Sequence, residues 1–444
     1  MASPNGKSLG LAACTAVVVG NMVGSGFYLS PSAVAPYGQL AIIMWGVMAG
    51  GAICLGLTFA RLARLAPATG GPYAYTRMAY GDFAGFLIAW GYWISVWASL
   101  PVIGLAFATA IIDELPTVVP SLSDSDDWRR NTAIALTLGS IWLVVLVNLR
   151  GVKEAGLFSS ITTYIKLVPF AAIALIGLFF IRPENLADFN PSGESLFAAS
   201  AALAPLTMFA FLGLESATVP AGDVRDPERT IPRSTVLGIS VAGILYVLGT
   251  VAVMGILPRA ELVGSIAPFQ DAARVMWGSI GAGAITLAVI ISSLGALNGW
   301  ALLMGQVPMA AAQDKLFPAV FGRLSSRGVP AVGIVLSALL ATALILVIAV
   351  GGAGGQAFYD LVVSLSTMAA VVPYAFCSLA VGLIAIRGKD GGAKQRIGAI
   401  EIIAFVFSIF VLYGCGPEAV LYGFMLLVLG VPVYVWQRSR GAKT

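Results

Sequence analysis

Long apolar stretches fill nearly the whole of this sequence, and their length is what most limits its fold. An α-helix rises about 1.5 Å per residue, so crossing a hydrocarbon core of about 30 Å takes about 20 apolar residues. Twelve such runs lie between polar breaks, near 9–36, 39–65, 83–112, 131–149, 155–181, 196–222, 233–256, 279–312, 330–351, 357–386, 397–415 and 417–437. Within lipid each backbone N–H and C=O needs a partner in its own segment, which makes helices of runs this long. Composition agrees: 59% of the 444 residues are hydrophobic and 10% charged, against about a quarter charged in a soluble domain. The fold class expected is an all-α polytopic membrane protein with twelve transmembrane helices, surrounded by the lipid bilayer.

Several function classes fall away at once. The chain contains no histidine, which excludes a Ser-His-Asp triad, an HExxH zinc site and an imidazole pH sensor. Cys14, Cys54, Cys377 and Cys415 lie in or beside apolar runs and form no CxxC pair, so no metal site, disulfide framework or cofactor is expected. A net charge of +4 from dispersed basic residues argues against a nucleic-acid partner. No GxxxxGK[ST] motif is present, and no loop has room for a nucleotide domain. A membrane-embedded enzyme lacks its catalytic pair, and a channel lacks a filter motif. The first apolar run continues past a glycine-rich interruption rather than ending in an A-x-A site, so no cleavable signal is expected.

An even number of spans puts both termini on one face. With the termini in the cytoplasm, nineteen of the 25 Lys and Arg residues fall inside. Only Arg129, Arg130, Arg182, Arg259 and Arg274 fall outside. Positive-inside asymmetry of this size sets the orientation. Two charges are left within spans, Lys166 in the fifth and Glu215 in the sixth. Each costs about 2.5–3.5 kcal/mol at the bilayer centre, so such groups usually face an interior cavity. The structural alternatives are a snorkelling lysine, and a carboxylate that caps free amides in a broken helix.

The first span contains Gly20-Asn-Met-Val-Gly24-Ser25-Gly26, and the sixth contains Gly213-Leu-Glu215-Ser-Ala followed by Pro220-Ala-Gly222. Each glycine costs a helix about 1 kcal/mol, so a continuous helix is not expected in either. The two interrupted spans lie five apart, and an odd separation reverses direction across the membrane. This is the pattern of a LeuT-like inverted repeat, spans 1–5 (1–181) and 6–10 (196–386), with spans 11–12 (397–437) appended, all in one transporter domain. Half-helix ends at paired breaks offer N–H groups to a carboxylate and carbonyls to an ammonium, which suits an α-amino acid. Against this stands a plain packing face, because Gly20 and Gly24 also fit GxxxG.

Gly20-Asn-Met-Val-Gly-Ser-Gly-Phe-Tyr-Leu-Ser-Pro31, Gly70-Gly-Pro-Tyr-Ala-Tyr75, Phe211-Leu-Gly-Leu-Glu215-Ser, Leu294-Gly-Ala-Leu-Asn-Gly-Trp300 and Val372-Pro-Tyr374 together resemble the amino acid–polyamine–organocation (APC) superfamily. Within it the chain is most similar to the basic amino acid/polyamine antiporters, above all those exchanging arginine for agmatine. The resemblance implies that Asn21, Met22, Ser25 and Gly26 contact the substrate's α-carboxylate and α-amino groups. It implies that Phe209, Leu100, Trp300 and Ser366 line the side-chain end. Tyr92 and Tyr374 would act as gates, and Glu215 as the proton- or pH-sensitive carboxylate. Lys166, near Ser292 and Ser293, would stand where sodium-driven relatives hold their ion.

Three positions depart from the arginine antiporters. Phe209 replaces a tryptophan, which weakens stacking on a cation. Leu100 replaces an asparagine on the guanidinium side, and Lys166 replaces a small apolar residue. The function implied is sodium-independent exchange of arginine or a related basic amino acid for its amine product or another amino acid. A proton-coupled permease of neutral L-amino acids is the alternative. The resemblance also implies a bacterial inner-membrane location and permits a homodimer through spans 11 and 12.

Overall fold

The helices begin and end where capping residues, glycines and prolines interrupt the apolar runs. The computed structural model describes residues 9–65, 70–118, 125–218, 224–350, 355–387 and 397–441. It leaves out the side chains of Ser25, Tyr164 and residues 116–118, 152–160, 348, 350, 355–359, 385–387 and 440–441. In chain order the first helices are α1 (Leu11–Met22), α2 (Ser25–Tyr28), α3 (Ser30–Val34), α4 (Gln39–Leu65), α5 (Pro72–Tyr80), α6 (Asp82–Val118) and α7 (Asp126–Arg150). Then come α8 (Val152–Ile176), α9 (Leu196–Met208), α10 (Pro227–Ile256), α11 (Arg259–Val263), α12 (Pro268–Gln313) and α13 (Ala331–Val350). The last are α14 (Gly355–Arg387), α15 (Ala399–Gly414), α16 (Gly416–Val428) and α17 (Gly430–Gly441). Among the described residues the only β pairing is one isolated bridge, Leu9 to Val224.

Among the described residues, eight helical stretches are long and apolar enough to cross a membrane. Four shorter apolar helices, Leu11–Met22, Leu196–Phe211, Ala331–Val347 and Ala399–Gly414, stand at the places of spans 1, 6, 9 and 11. The first and sixth are short because their helices stop midway. Pro220 and Gly222 lie outside the described residues, as do Lys7, Lys389, Lys394, Arg396 and Lys443 of the basic residues expected inside. Gly278 leaves helical geometry at φ 70°, so α12 is two helices, and its main limb starts where the eighth span was expected.

Burial separates the centre from the rim. In both α6 and α14, 78% of the most apolar window is buried, against 17% in Gly416–Ser439. α12 packs along α6 and α8, α4 along α10, and α14 along α6. Ser125 starts α7 by accepting from the Trp128 amide at 3.2 Å. The one-turn α2 is held by its aromatic residues: Phe27 packs on Tyr246 and Phe269 at 4.9 and 4.6 Å, and Tyr28 stacks on Phe170 at 4.6 Å. The broken segment is therefore anchored by side chains rather than by helix length.

Candidate functional site at the two helix breaks

The first break begins at Val23, whose ψ of 93° leaves the helix, and the chain resumes helical form at Ser25. Phe27 and Tyr28 bond their amides to Gly24 O at 2.9 and 3.3 Å, so they do not serve the carbonyls at the end of α1. Lys166, on α8 and fully buried, takes two of those carbonyls. Its Nζ donates to Gly20 O at 2.8 Å and to Val23 O at 2.6 Å. Val23 O also accepts from the Tyr28 hydroxyl at 3.2 Å and from Ser292 Oγ at 3.4 Å. Tyr28 and Ser292 are hydrogen-bonded to each other. Ser292 thus meets the lysine through a shared carbonyl, whereas Ser293 Oγ is buried without a hydrogen-bond partner among the described residues. A buried ammonium is costly unless several acceptors replace its water, and the broken backbone supplies them.

The second break follows the turn Phe209–Phe211. Leu212 is extended, and Gly213 has φ 93°, a left-handed value that disfavours any residue with a Cβ. Ser216 folds back on this turn, with its amide 2.9 Å and its Oγ 2.5 Å from Gly213 O. Glu215 points away toward α6 and α14. Tyr92 donates its hydroxyl to Oε1, and Tyr374 donates to Oε2 at 2.5 Å. All three are fully buried, and Phe59 packs edge-on against Tyr374 at 5.5 Å. The carboxyl group therefore joins the sixth span to the third and tenth through two hydrogen bonds.

The two breaks touch. Asn21 Nδ2 donates to Ser216 Oγ at 2.8 Å, and Trp300 Nε1 donates to the Asn21 carbonyl at 3.3 Å. A Cβ on Gly26 would lie 2.8 Å from Ala210 Cα and 2.9 Å from Phe209 Cδ1, so only glycine lets the segments approach this closely. Between them lies a narrow cleft with only about 10 Å³ of free space, lined by Asn21, Met22, Gly24, Gly26, Ile103, Phe209, Leu212, Ala296 and Trp300. Its lining residues are all buried, Asn21 and Phe209 the most exposed of the side chains at 6%. The Asn21 amide oxygen is buried and has no hydrogen-bond partner among the described residues.

Of the residues expected at a substrate site, Asn21, Met22, Gly26, Phe209 and Trp300 line this cleft together. Leu100 is buried on α6, one turn before the lining residue Ile103. Ser366 is buried, its Oγ unpartnered among the described residues, and does not line the cleft. The Ser25 side chain lies outside the described residues. Sequence reasoning missed Gly24, Ile103, Leu212 and Ala296. Three are ordinary apolar residues in an apolar chain, and only the helical spacing of Ile103 from Leu100 could have pointed to one of them.

On the face expected to be cytoplasmic, α5 is tied down by charge. Arg77 bonds Asp82 at 2.9 Å and Asp314 at 2.7 Å, and Arg438 pairs with Asp82. Tyr73 donates to Asp314 at 2.6 Å. Burial, and then that aspartate, push the Tyr73 hydroxyl well above the usual tyrosine range. Among the described residues no group of three Asp, Glu or Cys side chains is placed to hold a metal ion.

The sequence profile described as amino acid permease matches residues 9–432, almost the whole chain. The chain belongs to the amino acid permease family. This permease is 29% identical over 437 residues to the putrescine transporter PotE of Haemophilus influenzae, covering 97% of each. It is 32% identical over 416 residues to the cadaverine/lysine antiporter of Escherichia coli K12, covering 92% of this chain and 90% of that one. These likenesses place it with the basic amino acid and polyamine antiporters of the APC superfamily, as a transporter and not an enzyme. A crystal structure of the Eremococcus coleocola manganese transporter superposes with TM-score 0.61 at 11% identity, covering 98% of the permease and 96% of that chain. That match shows a shared helical fold alone.

Proposed function

We propose that this permease is a sodium-independent exchanger of amino acids. It takes a basic amino acid on one side and returns its amine product, or another amino acid, on the other. The observation that carries this reading is the buried cleft between two backbone breaks, with the Asn21 amide oxygen, unpartnered among the described residues, and the Trp300 ring at its wall. An α-amino-carboxylate matches such a place, because broken backbone presents both donors and acceptors. The likeness to a cadaverine/lysine antiporter and to a putrescine transporter supports a basic substrate. Lys166 supports independence from sodium: its ammonium already fills the acceptors that a coupling cation would need.

Alternating access would rock the broken-helix bundle, built from both inverted repeats (1–181 and 196–386), against the helices around it. Tyr92 and Tyr374, held by Glu215, would close it on the cytoplasmic side, with both termini in the cytoplasm of a bacterial inner membrane. α15 and α16 expose Ile402, Val406, Tyr413, Leu421 and Phe424, an apolar face on which two copies would pair.

A second reading, transport of neutral L-amino acids, is favoured by the lining itself, since Ile103, Phe209, Leu212 and Ala296 bring no carboxylate. Thermal stabilisation of the purified protein separates the two. A ligand at a hundred times its Kd adds about 2.7 kcal/mol of stability. Stabilisation by L-lysine, L-arginine or cadaverine supports the basic reading. Stabilisation by L-leucine or L-alanine alone replaces it with the neutral one.

A further inference from the structure

We propose that Asn148, on α7, is a positioning residue for the cleft, acting through Asn298 on the turn of α12 that carries Gly299 and Trp300. The proposal rests on reading the cleft as the substrate site. Asn148 and Asn298 are 2% and 1% exposed, in helices whose neighbours are apolar. Asn148 Nδ2 donates to Asn298 Oδ1 at 2.9 Å and to its own helix at Val144 O, also at 2.9 Å. It lies 3.4 Å from the Asn298 backbone oxygen as well. Asn148 is therefore fixed to α7 and grips α12 at a single point.

Helix geometry gives that point its leverage. Successive residues turn by about 100°, so Asn298 and Trp300 stand about 200° apart, on nearly opposite faces of α12. The face gripped by Asn148 is the back of the face that meets the first break. On the flank between these faces, Gly299 lies against the Asn21 side-chain amide so closely that no Cβ fits between them. Trp300 Nε1 reaches the Asn21 carbonyl at 3.3 Å, near the limit of such a bond. A small rotation of α12 would lose the Trp300 bond or drive Gly299 into Asn21. The Asn148–Asn298 pair, buried on both sides, resists that rotation from behind. Neither asparagine lines the cleft.

A pair that merely glues two helices together would cost stability when removed and leave the cleft unchanged. The test therefore reads Trp300. Its emission is isolated by subtracting the spectrum of the matching Trp300→Phe protein, in Asn148→Ala and, should that variant not fold, in Asn298→Ala. A shift to longer wavelength is expected without any ligand, because the ring loses its fixed place. L-lysine exchange is then measured in liposomes. KM should rise about threefold or more in Asn148→Ala with kcat nearly unchanged, and should not rise further when Trp300→Phe is already present. An unshifted Trp300 emission, or an equal KM rise in both backgrounds, would overturn the proposal. If the unaltered protein fails to bind L-lysine, the substrate reading fails, and the emission spectra still decide the role of Asn148.

Discussion

The ammonium of Lys166 lies 2.6 Å from the carbonyl oxygen of Val23, at the place where the first helix stops. That contact joins α8 to the break and holds a positive charge among backbone oxygens. Removing the lysine strips the ammonium from Gly20 O while Val23 O keeps the Tyr28 and Ser292 hydroxyls, and a buried acceptor left unsatisfied costs about 1–3 kcal/mol. Lys166→Ala should therefore lower thermal stability and slow exchange in liposomes about tenfold or more, with an altered pH response. Unchanged rates and an unchanged pH response would show that the lysine has no part in transport.

Glu215 binds Tyr92 and Tyr374 but does not line the cleft. Its protonation state should act on closure more than on substrate affinity. Glu215→Gln is expected to change the pH profile of exchange while leaving the L-lysine Kd at neutral pH within about threefold. Lost affinity with an unaltered profile would instead mark the carboxylate as a cap for the second break.

Gly26 is where the two broken segments come closest. A methyl group there would meet the backbone of Ala210, which has nowhere to go, so overpacking of about 1–3 kcal/mol is expected. Gly26→Ala should abolish exchange while the protein still reaches the membrane. Gly46→Ala, at a position with open space around its Cβ, is the matched control and should transport normally.

Tyr73 gives a pH prediction outside the crossing helices. Burial and Asp314 raise its hydroxyl pKa above that of the unfolded chain. The folded state therefore holds the proton when the unfolded chain releases it. This contribution to stability is fully present below about pH 10 and is lost as pH rises beyond it. Thermal unfolding between about pH 9 and pH 11 should show a smaller loss of Tm in Tyr73→Phe than in the unaltered protein. An equal loss in both would place the alkaline sensitivity elsewhere.

The parts of the fold written in glycine were the most legible. Gly20, Gly24 and Gly213 announce broken helices because glycine in an apolar span has a cost that only a break or a close approach offsets. Lys166 and Glu215 stood out for the same reason, as charges where charges are expensive. Their partners were not visible from the residues alone: Tyr92, Glu215 and Tyr374 are spread over 283 positions of chain and meet only through helix packing. Ile103, Leu212 and Ala296 carried no contrast in a sequence that is 59% hydrophobic. Asn148 and Asn298 lie 150 positions apart, and nothing local links them.

Counterflow tests exchange without sodium most directly. Liposomes holding the purified protein are loaded with unlabelled L-lysine or cadaverine and placed in sodium-free buffer with labelled L-lysine outside. Uptake accelerated by the internal substrate, and unchanged when sodium is added, is the expected result. Uptake that needs sodium, or that proceeds equally fast into empty liposomes, would contradict it.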